Sequence, residues 1–179
     1  MTEHFFSLVP FPDRDIPDLA ISGRIVRDHN VLTVHYSLVG DVERISIPAA
    51  APQTSRQNEL WTSTCFEFFL SVPDRPEYWE FILSPSGNWN VFQMDAYRRA
   101  GFREETRIDK LQLTCHISRE QFTLEGAVDL HPILAPDEPI RAGITGVIQT
   151  IQGGETYWAL VHPGPEADFH LHESFILPL

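Results

Sequence analysis

EYWEFILSPSGNWNVFQMDA, residues 77–96, reads as two apolar runs of period two on either side of a turn. Within it "PSGN" supplies a proline with preset φ and a glycine free to go left-handed. The stretch therefore predicts a β-hairpin in which Ser84 faces Trp89. That register sorts the side chains: Trp79, Phe81 and Leu83 share one face with Phe92 and Met94, and Tyr78, Glu80 and Ile82 share the other with Trp89, Val91, Gln93 and Asp95. The first face is a dry core in which Met94 acts as filler. The second mixes rings with carboxyl and amide groups, wrong for a dry core and unusual for a solvated surface. It makes Glu80, Trp89 and Gln93 candidate ligand-binding residues.

Upstream, residues 59–70 read ELWTSTCFEFFL. Phe66, Phe68 and Leu70 alternate as the buried face of a strand, while Cys65 and Phe69 make the opposite face apolar too. Glu67 interrupts that second face. An ionised carboxylate among rings costs several kcal/mol unless something pairs with it, so its retention there calls for a partner or a purpose.

Further outward the same short-strand grammar continues. Ala20 to Arg27 and Val31 to Val39 flank the turn "DHN", and Val42 to Ile47 predicts a third strand. "PAAAPQTSRQN" (48–58) is a surface loop. After the central hairpin, "YRRAGFREETR" (97–107) is the most charged loop and carries Arg98, Arg99 and Arg103. Leu111 to Ile117 and Phe122 to Leu130 form a hairpin around "SREQ", and "LHPILAPDEP" is a proline-bounded connection with room for one helical turn. Arg141 to Gln152 and Glu155 to His162 form the last hairpin around "GG", ahead of a terminal strand near "SFILPL". About ten short strands without long crossovers predict an all-β, antiparallel β-sandwich of immunoglobulin-like type in a single domain, 1–179.

Composition excludes some functions. A net charge of −12, from 13 basic and 25 acidic residues, opposes a polyanionic partner, so neither nucleic acid nor an anionic membrane is expected. Only Lys110 among the basic residues is a lysine, so the positive charge is nearly all guanidinium, suited to forked hydrogen bonds. The first residues lack a positive n-region and an export-length apolar run, and no stretch approaches the roughly 20 apolar residues of a membrane helix; the expected location is cytoplasmic. Cys65 and Cys115 lie in apolar runs and are expected as free, buried thiols.

His170 and His172 in "DFHLHESF" (168–175) stand two apart, which on a strand would aim both at one metal; without a third ligand fixed by spacing, they read instead as a hydrogen-bonded cluster closing the last strand. Cys65 with His116 has no helix N-terminus or nearby cation to activate the thiol. Trp61, Trp89 and Trp158 fall near strand ends or on mixed faces. Flat rings beside carboxyls, amides and arginines suit a sugar, whose C–H face packs on a ring while its hydroxyls need donors and acceptors.

The segments LWTSTCFEFFLSV (60–72), YWEFILSPSGNWNVFQMDAYR (78–98) and YWALVHPGPEADFHLHESFILPL (157–179) together resemble the DOMON-like domains related to family 9 carbohydrate-binding modules, over roughly residues 5–179. Those domains carry a W-x5-E pattern before "FL" or "FI" and an "SPSG" hairpin. The resemblance implies that Trp61 is one wall of an aromatic clamp and that Glu67 accepts sugar hydroxyls. It also implies Trp158 as the second wall, and Arg98 or Arg99 in the place of a sugar-contacting arginine. Six steps of ideal strand span about 20 Å, so Trp61 can serve only if its loop folds back over the sheet.

The expected function is non-catalytic binding of a small ligand, a saccharide first, without a required cofactor. One alternative is a DOMON-type redox module holding heme between Met94 and His170 or His172. Another is a metal-dependent or acid-base enzyme built on Glu67, which lacks an evident second carboxylate in the sequence.

Overall fold

The computed structural model describes residues 1–12, 16–97 and 101–179. The alternating runs become antiparallel strands in two layers. One sheet holds β1 (Thr2–Pro10), β2 (Leu19–Asp28), β3 (Val31–Gly40), and the pair β8 (Gln112–Ile117) and β9 (Gln121–Asp129), in the order β1-β2-β3-β9-β8. The other holds β4 (Cys65–Ser71), β5 (Tyr78–Leu83), β6 (Trp89–Met94), β7 (Phe102–Glu104), β10 (Arg141–Gln149) and β11 (Glu155–Ala159), in the order β7-β6-β5-β4-β10-β11. A short β12 (Leu177–Pro178) closes on the start of β10. Strand β1 joins the layers, pairing with β2 through Leu8 and with β11 at Val9 and Pro10. The protein is an all-β antiparallel sandwich, as the strand pattern predicts.

Between the layers the core is aromatic. Phe66 stacks on Phe122 across the sandwich, with ring centroids 5.3 Å apart and planes at 13°. Phe68 stacks on Phe81 at 4.4 Å. Such pairs add about 0.5–1.5 kcal/mol each beyond the area they bury.

The opposite face of β4–β6 is not left to water. Part of the segment after β11 lies on it: Phe175 stacks on Phe69 at 5.5 Å, and the His170 and His172 rings meet Tyr78. This covering layer explains why every residue of β4 and β5 is buried.

Three expectations are corrected. The β5–β6 hairpin pairs Leu83 with Trp89, and Ser84 N–H donates to Asn88 carbonyl at 2.9 Å, so the turn is one residue tighter than predicted. Gly87 at φ 91° makes that tightening possible. A one-residue slip exchanges faces: Trp89, Val91 and Gln93 join Trp79 and Phe81 on the inner side, and Phe92 and Met94 join Tyr78 and Glu80 on the outer. Second, Val42 to Ile47 is not a strand. Val42–Arg44 is a single 3-10 turn after Gly40 (φ 115°), and only Ile45 makes a bridge, to Thr150. Third, His170 and His172 lie off the last strand, in a turn and in the 3-10 helix His172–Ser174, where the strand period does not apply.

Candidate functional site

On the outer face of β4–β6 lies a cavity of about 610 Å³. Its floor is set by strand alternation: Glu67 on β4, Tyr78 and Glu80 on β5, Phe92 and Met94 on β6, all pointing away from the core. Glu155 and Tyr157 of β11 bound one side, and Phe169 and His170 of the covering segment bound another.

Trp61 reaches this cavity by the route its distance from Glu67 requires. Glu59 adopts a left-handed conformation (φ 58°) and starts a 3-10 turn, Leu60–Thr62, that folds the chain back over the sheet. Strand β10 pins the turn: the Gln149 side-chain amide donates to the Thr62 carbonyl at 2.7 Å, and Gln149 N–H donates to Thr64 Oγ1 at 3.0 Å. The Trp61 ring meets Phe92 edge-on, centroids 5.9 Å apart, and remains 41% exposed. A large ring so supported and yet so open is available to a ligand.

Glu67 is 3% exposed. Its carboxyl accepts from Thr145 Oγ1 at 3.3 Å and from the Cys65 thiol at 3.5 Å. Burial pushes its pKa up to about 7, against the opposing pull of those two hydrogen bonds. Glu80 sits diagonally across the β4–β5 pair, because Glu80 faces Phe69 and Glu67 faces Ile82. Burial, and then the charge of Glu67, raise its pKa well above the carboxylate range. Among the described residues neither acid is in an ion pair, and none donates a hydrogen bond to the Glu80 carboxyl.

The remaining walls are hydrogen-bonded. Tyr157 hydroxyl donates to Glu155, whose other oxygen accepts from Gln149 at 3.2 Å. Tyr78 hydroxyl and His170 Nδ1 are 2.9 Å apart, and the His172 ring meets Tyr78 edge-on at 5.1 Å. Among the described residues no group of three or more His, Cys, Asp and Glu side chains is arranged to hold a metal.

The structure thus brings Trp61, Glu67 and Glu80 into one cavity. It does not bring Trp89, Gln93 or Trp158 there. The tighter hairpin turn sends Trp89 inward, where it is 6% exposed beneath the Arg56 guanidinium at 4.5 Å, and puts Gln93 on the same side. Trp158 is 2% exposed in the core, its indole N–H donating to Thr156 Oγ1 at 3.0 Å. Its neighbour Tyr157 faces the cavity instead, by the alternation of β11. Arg98 and Arg99 lie outside the described residues. Met94, expected in the dry core, lines the cavity. Of the lining residues not anticipated, Tyr157 was legible: a core Trp158 sends Tyr157 outward. Phe169 was not, since it enters from an irregular segment.

Neither a protein-family model nor a curated protein matches the sequence. Solved structures do match the fold. A proposed carbohydrate-binding protein from Bacteroides uniformis superposes with a TM-score of 0.71 at 16% identity, covering 97% of this chain and 84% of that one. A family 9 carbohydrate-binding module from Caldicellulosiruptor kristjanssonii, solved with cellotriose, superposes with a TM-score of 0.53 at 8% identity, covering 90% of this chain and 74% of that one. At such identities the likeness is one of fold, and the chain has the β-sandwich shared by these carbohydrate-binding structures.

Proposed function

We propose that this protein is a non-catalytic carbohydrate-binding domain, spanning residues 1–179, whose cavity takes a small saccharide. The observation that carries the reading is the half-open Trp61 ring sharing one cavity with the inward-facing acids Glu67 and Glu80. A sugar's C–H face packs on the ring while the acids, short of partners, meet its hydroxyls. Tyr157, and not the core Trp158, supplies a second aromatic surface. The fold neighbours add support, since one is solved with cellotriose. Calorimetry against glucose, cellobiose and cellotriose tests it. Saturable heat lost in Trp61→Ala supports the reading, and no heat from any saccharide with folded protein overturns it.

Finding Glu80 beside Glu67 supplies the second carboxyl that an acid-base enzyme would need. Glycosidases keep one acid ionised and one protonated. Here burial raises both and the charge of Glu67 raises Glu80 further. Saccharide turnover is therefore assayed beside binding, and release of a hydrolysed product would favour the enzyme reading.

Met94 and His170 lining the same cavity favour a heme reading more than the sequence does. The fit is poor: Tyr78 lies between them, paired with Met94 and hydrogen-bonded to His170 Nδ1, and the acids on the floor would be desolvated by an apolar macrocycle.

A further inference from the structure

We propose that the ligand of this cavity carries a protonated amine, making an amino sugar with a free amino group the preferred saccharide. The inference rests on the carbohydrate reading for the sugar, but on separate observations for the amine. Glu80 is 9% exposed, lines the cavity, and accepts no hydrogen bond from the described residues. Among the described residues Glu67, its diagonal neighbour, is satisfied only by a hydroxyl and a weakly donating thiol. Diagonal positions in an antiparallel pair lie about 7–8 Å apart, so one ammonium, with three donors, can serve both acids at once.

The walls suit the same group. Trp61, Tyr78, Phe92 and Tyr157 surround the acids with ring surface, and cations are held over such rings once water is displaced. A net charge of −12 attracts cations toward the whole molecule. A neutral hydroxyl can bond to either acid in its protonated form, whereas a cation between them lets both ionise side by side.

Binding then carries a proton signature. An ammonium holds both acids ionised, so protons resident on them before binding leave as it docks. The other titratable groups facing the pair are Cys65 on β4, Tyr78 on β5, Glu155 and Tyr157 on β11, and His170 in the covering segment.

The test is calorimetry of the full chain at pH 7 with D-glucosamine, D-glucose, N-acetyl-D-glucosamine and ethanolamine, with proton release read by an indicator dye in weak buffer. Glucosamine should bind about tenfold or more tightly than glucose and release protons, with the N-acetylated sugar resembling glucose. Glu80→Gln should erase the difference between the two sugars. Circular dichroism checks its fold, and Glu67→Gln provides the same comparison if the first variant unfolds. Equal affinity for glucose and glucosamine would leave the carbohydrate reading standing and overturn the amine. Ethanolamine binding without any sugar binding would do the reverse. No response to any of the four overturns both.

Discussion

Tyr36, fully buried on β3, donates its hydroxyl at 2.8 Å to the main-chain carbonyl of Glu67 on β4. The site strand is thereby tied through the core to the opposite sheet, and the main chain of Glu67 is held while its carboxyl looks the other way. Tyr36→Phe should cost about 0.5–1.5 kcal/mol in urea unfolding, the worth of one buried hydrogen bond, because the ring packing against Phe66 survives. A loss above about 3 kcal/mol would mean that the hydroxyl organises more than this carbonyl.

The raised pKa of Glu67 makes stability depend on pH. Its folded value of about 7 exceeds the ordinary 4.5, so the folded state binds the proton more tightly. The contribution is complete below pH 4.5, declines as pH rises, and is gone once pH passes about 7; the limits differ by about 3 kcal/mol. Glu80 adds in the same direction. Glu67→Gln, always neutral, should match the parent within about 1 kcal/mol at pH 5 and exceed it at pH 8. Parallel stability curves for the two proteins, from urea unfolding across pH, would refute this.

The tryptophans should separate cleanly. Trp158→Ala empties a core site and should cost about 3–5 kcal/mol. Trp61→Ala, at a ring 41% exposed, should cost less than half of that while removing saccharide binding. Chemical denaturation of both variants, with calorimetry of the second, makes the comparison.

Arg56 lies over Trp89 at 4.5 Å and donates to Asn90 Oδ1 at 2.7 Å and to the main-chain carbonyls of Glu105 and Ile108. A planar fork makes these contacts together, and an ammonium cannot. Arg56→Lys should therefore lose about 1–2 kcal/mol in thermal unfolding despite keeping its charge, with sugar binding intact because the cluster lies outside the cavity. Equal stability of the lysine variant would show the fork to be dispensable.

What the chain determines locally is its strand content, most of its hairpins and the anomaly at Glu67. Period-two alternation with turn residues between the runs is short-range information, and a carboxyl among rings is conspicuous without any coordinates. The turn after Asp28 is likewise written in "HN", with His29 left-handed at φ 55°. Tertiary structure decided the rest. Both faces of β6 are rich in apolar groups, Trp89 and Val91 on one and Phe92 and Met94 on the other, so hydrophobicity alone does not select between registers one residue apart. Packing on two sides selects the one that buries Trp89 under Arg56 and turns Met94 outward. The return of Trp61 over Glu67 depends on the left-handed Glu59 and on Gln149, a residue far along the chain. Glu80 became the neighbour of Glu67 only when β5 paired with β4, and both came to lie buried on the floor of one cavity. A sequence lists the two acids; pairing brings them to one floor, and burial there raises their proton affinity.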